Sequence, residues 1–191
     1  MELSPTAAFR LLIASMLMLS VYFTVDVELR RYALQGDATG LALEDGATVQ
    51  IEQPIDGDEL AMRLGDAAFT LRLLGVKAFD VTNEPGLGNP GQRAVDQLAR
   101  LNGRSGTVRS DGTTLDRNDR LIAALDVDGE DVGAALVREG WAVVYTKYPF
   151  PDLDAYLALE AEARAEHRGL WSSPKATERA QLMRASWEAD E

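Results

Sequence analysis

The side chains able to do chemistry in this chain come from a narrow stock. None of the 191 residues is cysteine, which removes disulfides, thiolate nucleophiles and Cys-ligated zinc or iron–sulfur centres. The single histidine, His167, rules out multi-histidine metal sites and obliges any Ser–His relay to pass through it. It precedes Arg168 and Gly169 at an expected helix end, where histidines commonly meet free carbonyls, so catalytic use is not expected. Lysine occurs only as Lys77, Lys147 and Lys175, so the 19 Lys+Arg are nearly all arginine, set against 31 Asp+Glu. The resulting net charge of -12 argues against an unaided nucleic-acid binder, because phosphate affinity comes largely from clustered cations. Gly86, Gly88 and Gly91 spell G-x-G-x-x-G, with Asp111 twenty residues on. A dinucleotide fingerprint would need a βαβ unit around them, and the following strand does not read as parallel and buried. They read as a loop.

Behind these residues lies a run of short strands. Thr48–Glu52 and Leu60–Leu64 alternate, and Ala68–Val76 reads as a third, largely buried strand. Gly65–Asp66 supplies the turn between the second and third. A Gly/Pro/Asn loop over Thr82–Gly91 feeds a helix over Gln92–Leu101. Two more strands are expected over Gly106–Ser110 and Arg120–Val127, then helices over Asp131–Glu139 and Asp152–Arg168, each stopped by glycine. Five strands with a helix between the third and fourth match a partly open five-stranded barrel, the OB architecture. The fold class is mainly β with helices (α+β).

Four segments, in order, carry a resemblance. They are IDGDEL at Ile55–Leu60, LRLLGVKAFD at Leu71–Asp80, LDRNDRLIAALDVDGEDVGAALVREGWAVVY at Leu115–Tyr145, and YLALEAEARAEHRGLWSSP at Tyr156–Pro174. Together they resemble the staphylococcal nuclease (thermonuclease) family over Ala47–Pro174. The resemblance implies a calcium-dependent phosphodiesterase on an OB barrel. Calcium, a hard ion wanting several oxygen ligands, polarises the phosphate and orients water. Two arginines stabilise the added negative charge at phosphorus.

Carried over by position, Asp58 matches the first calcium carboxylate, while Arg72 and Arg120 match the phosphate-clamping arginines. Asp80 stands where the family has its glutamate. Lys77 replaces the second calcium carboxylate, and Glu59 replaces a threonine after Asp58. An ammonium in place of a ligand carboxylate turns an attraction into a repulsion. The expectation is therefore that ordinary calcium catalysis is lost, with Lys77 in the cation position, bridging Asp58 and Asp80. Arg72 and Arg120 would then be satisfied within the same ion network. On this reading no cofactor is needed; Ca²⁺ enters only if the site is an active phosphodiesterase.

Residues 1–31 read as a membrane anchor with flanks. Leu11–Val25 is uncharged, and residues 7–27 provide the membrane-contacting stretch, with Tyr22 and Phe23 suited to an interface. A signal peptide and a buried core helix are the competing readings of this run. Residues 32–46 form a linker, 47–174 the barrel domain and 175–191 a helical tail. In the tail Ala176, Ala180, Met183 and Trp187 share one stripe, so the 175–188 helix either folds back on its own domain or docks a partner through Trp187. The favoured function is a membrane-anchored, nuclease-like domain without calcium-dependent hydrolysis, an accessory or scaffold subunit of a membrane complex. Its protein partners are expected in that complex, and nucleic acid is not. Because members of the resembled family are often exported, the barrel is expected on the extracytoplasmic (periplasmic) side. An active membrane-bound phosphodiesterase and a non-hydrolytic anion-binding barrel are the alternatives.

Overall fold

A computed structural model describes residues 13–18, 20, 41, 43–82, 84–110 and 115–189. The elements are β1 (Thr48–Pro54), β2 (Glu59–Leu64), β3 (Ala67–Leu73), β4 (Val76–Ala78), α1 (Pro90–Ala99), β5 (Ser105–Arg109) and β6 (Leu121–Val127). These are followed by β7 (Glu130–Asp131), α2 (Val132–Arg138), β8 (Ala142–Val144), α3 (Leu153–Ala165), a 3-10 turn (Gly169–Ser172) and α4 (Pro174–Ala189).

The five expected strands form the barrel. The order is β3-β2-β1-β5-β6, and β3 closes against β6 in parallel through Leu71 opposite Leu121 and Leu73 opposite Ala123. Alternation along β1 buries Val49 and Ile51 and leaves Thr48 and Gln50 outside. The register shifts between Ile51 and Gln53, a bulge of the kind that bends a strand around a small barrel. Inside, Ile51, Leu60, Met62, Phe69, Leu71, Val108, Leu121 and Leu125 are fully buried, each contributing about 1.5–3 kcal/mol by leaving water.

The third strand departs from its sequence pattern. Ala68–Val76 is not continuous but breaks at a turn over Leu74 and Gly75. Gly75 sits at φ +75°, and a Cβ there would fall within 2.6 Å of Phe150 Cε2. The chain re-emerges as β4, which pairs with β8, a strand too short to register as a sequence pattern. The third helix also stops early. It ends at Ala165, and His167 turns to φ +53° before the 3-10 turn that buries Leu170 and Trp171.

One arginine couples the barrel to two helices. Arg109 on β5 reaches Asp126 at 2.7 Å and Asp152 at 3.0 Å, and pairs with Asp131. Asp131 also caps α2 by accepting from the Ala134 N–H at 2.8 Å, and receives the Tyr156 hydroxyl at 2.7 Å. Helix α4 lies on its own domain. Its stripe of Ala176, Ala180, Met183 and Trp187 packs with Phe79, Leu87, Val143 and Trp171. Trp187 stands edge-on to Tyr145 at 4.7 Å, and Arg184 reaches the buried Glu160 at 2.7 Å.

Residues 13–18 and 20 are helical. Among the described residues no helix is long and apolar enough to cross a membrane. Most of the expected anchor, residues 7–27, lies outside the described residues.

Candidate functional site

The strand register alone brings the charged residues together. In the β2–β3 ladder Glu59 lies directly opposite Arg72. Arg72 in turn faces Ile122 on β6, two residues beyond Arg120. Three residues distant in sequence therefore meet at one end of the barrel. The bend Ile55–Asp58 approaches β4 closely, which requires glycine at position 57. A Cβ there would lie 2.6 Å from the Ala78 Cβ and 2.9 Å from the Ala94 Cβ, inside any tolerable contact.

Asp58, fully buried, is held from several sides. Its N–H donates to Asp56 Oδ1 at 2.9 Å, its carbonyl accepts from Leu73 N–H at 3.0 Å, and its Oδ2 accepts from Ala78 N–H at 2.9 Å. The Lys77 ammonium stands 3.2 Å from the same Oδ2, and Arg72 Nη1 is 3.7 Å from Oδ1. Glu59, 1% exposed, takes Arg72 at 3.3 Å and pairs closely with Arg120. Behind Arg120, Asp116 accepts from its Nε at 2.7 Å and from its backbone N–H at 3.2 Å. Burial first, then repulsion from Asp58, pushes the Asp56 carboxyl up to about 6.

Lys77, Asp58, Arg72 and Arg120 thus meet in one network. Asp80 does not join it. It is exposed on the loop leading into α1, and the expected Lys77 bridge from Asp58 to Asp80 does not form, because the ammonium turns to Asp58 alone. Sequence reasoning missed three members: Asp56, Asp116 and above all Glu59. Glu59 was visible as a departure from the family's threonine, but its role needed the cross-strand register. The glycine loop is a decoy in the structure too. β5, which follows α1, runs antiparallel to both of its neighbours, so no βαβ unit surrounds it.

Asp56, Asp58 and Glu59 have carboxylate oxygens within 4.8 Å of one another, yet this donor set does not fit calcium. Arg72, Lys77 and Arg120 already pair with Asp58, Glu59 and Asp116. A divalent ion about 4 Å from the Lys77 ammonium would meet a repulsion of about 8 kcal/mol at an effective dielectric near 20. Asp58 Oδ2 and Glu59 Oε1 are engaged by cations of the protein itself, and Asp58 Oδ1 lies 3.7 Å from Arg72.

Barrel topology agrees with what comparison with known proteins finds. The model of the staphylococcal nuclease homologue family matches residues 70–173. The chain is also 30% identical over 147 residues to a micrococcal nuclease of Shigella flexneri, covering 72% of this chain and 80% of that protein. With the closed five-stranded barrel and the ordered motifs at hand, the family match is decisive: the chain belongs to the staphylococcal nuclease homologue family.

Proposed function

We propose that this chain is a membrane-tethered, nuclease-like domain that has given up calcium-dependent hydrolysis and serves as an accessory or scaffold subunit of a membrane complex. One observation carries the loss of hydrolysis: Asp58 and Glu59 at the barrel end are already paired with internal cations. Lys77 sits on Asp58, and the buried Glu59 draws in both Arg72 and Arg120. A phosphate entering between those arginines would have to displace a carboxylate that has nowhere hydrated to go. The apolar run within residues 7–27 and the net charge of -12 support the tether and the absence of a nucleic-acid partner. The extracytoplasmic side is the placement we favour. The decisive assay is cleavage of single-stranded DNA with calcium. No turnover above a no-metal control is expected, and a rate typical of an active family member overturns the reading. Protein solubilised from its native membrane is expected in a larger assembly, and recovery only as a free monomer counts against the scaffold role.

One observation favours a second reading, a membrane-bound phosphodiesterase. The oxygens of Asp56, Asp58 and Glu59 lie near enough to one another to share an ion. Calorimetry with Ca²⁺ and a nucleoside bisphosphate separates the two, since metal and ligand binding together support the enzyme. Ligand binding without metal supports a non-hydrolytic anion-binding barrel instead.

A further inference from the structure

The barrel carries a second concave site, built from residues that take no part in the charge network. A cavity of about 340 Å³ lies between the C-terminal half of α1, the β6–β7 turn, α2 and Trp141, within the size range of small-molecule sites. Leu98, Val127, Val132 and Leu136 line it and are buried. The rim is charged, but its charges are unequally committed. Arg104 pairs with Asp128, while Glu130 and Glu139 both reach Arg138. Arg100 differs. It is exposed, it lines the cavity, and its guanidinium makes no ion pair or hydrogen bond among the described residues. A guanidinium offers a planar fork of donors suited to a carboxylate or sulfonate. An apolar floor below it accepts the rest of the ligand, whereas a cation would find the rim carboxylates already paired.

We propose that this cavity binds a small amphipathic monoanion, its apolar body on the Leu98–Leu136 floor and its carboxylate or sulfonate on Arg100. The site is independent of the barrel-end network, so it stands whether or not that network hydrolyses phosphodiesters. The probe is anilinonaphthalene sulfonate, titrated into the full chain in lipid nanodiscs and followed by its blue-shifted emission and by energy transfer from tryptophan. Ala135 lines the cavity from α2, so Ala135→Phe fills it, and empty nanodiscs of the same lipid serve as the blank. One saturable site is expected in the parent, absent in Ala135→Phe and weakened at least about tenfold in Arg100→Glu. Trp141→Phe should reduce the energy transfer without removing the site. Near-UV circular dichroism establishes that each variant is folded, and Arg100→Glu, a surface change, keeps the test valid if Ala135→Phe is not. Equal dye affinity in the parent and in Arg100→Glu overturns the proposal, as does binding that appears only with loss of the near-UV signal. A second groove is lined by Arg164, His167 and Trp171, and dye that binds there instead, unaffected by Ala135→Phe, overturns it as well.

Discussion

Replacing Glu59 with glutamine removes one charge and almost no volume from the point where both arginines converge. In the parent, Arg72 and Arg120 both pair with Glu59, and the glutamate is 1% exposed. Removing one partner of a buried pair typically costs about 3–5 kcal/mol because the other charge is stranded. Here the stranding is partial. Arg120 keeps Asp116 at 2.7 Å, and Arg72 keeps Asp58 at 3.7 Å, so a loss of about 2–3 kcal/mol is expected. For a domain of this size that corresponds to a Tm lower by about 4–12 °C. The two guanidinium groups would also be left short of one anion, and inorganic phosphate is the natural replacement. At a phosphate concentration a hundred times its Kd, binding restores about 2.7 kcal/mol. Urea denaturation of parent and Glu59→Gln, in phosphate and in chloride of matched ionic strength, reads both effects. The variant should be destabilised in chloride and largely rescued by phosphate, while the parent shows no phosphate-specific gain. A variant within about 0.5 kcal/mol of the parent in chloride would refute the argument that Glu59 is the internal anion of this site. So would a phosphate gain of equal size in both proteins.

Three further perturbations test other parts of the account. The Asp56 carboxyl is raised from 3.8 to about 6 in the folded chain, so the folded state holds its proton more tightly than the unfolded one. That contribution is fully present below about pH 4 and is lost as pH rises through about 6, so Asp56→Asn should flatten the Tm-against-pH profile across that window. Arg109→Ala unlinks Asp126, Asp131 and Asp152 at once and should cost about 2 kcal/mol in urea denaturation, with β5, α2 and α3 affected together. Trp187→Ala removes the edge-on contact with Tyr145 but leaves Arg184 on Glu160. Amide exchange should therefore quicken near the C-terminal end of α4, with the barrel strands unchanged.

Much of the fold was legible because its signals are local. The alternation of Val49 and Ile51, the glycine that ends the second helix, and the turn at Gly65–Asp66 act over a few residues. The strand break at Leu74–Gly75 was not, because the ring that packs against Gly75, Phe150, lies 75 positions away in sequence. β8 was missed for a related reason: Ala142–Val144 spans three residues and becomes a strand only by pairing with β4. For the tail, the stripe ending in Trp187 was readable, while its covering surface of Phe79, Leu87, Val143 and Trp171 was not.

At the barrel end the division is the same. The amino-acid order alone established which charges are present and that an ammonium, Lys77, stands where the resembled family carries a carboxylate. That is a matter of residue identity, and identity is local. Which carboxylate each cation would choose was decided by register and burial. Glu59 faces Arg72 across β2–β3, the parallel closure of β3 on β6 brings up Arg120, and Asp80 is carried outward on the loop before α1. A buried charge must find its counter-charge among the neighbours that the tertiary structure supplies. Here those neighbours come from four separate stretches of chain, and only the closed barrel brings them together.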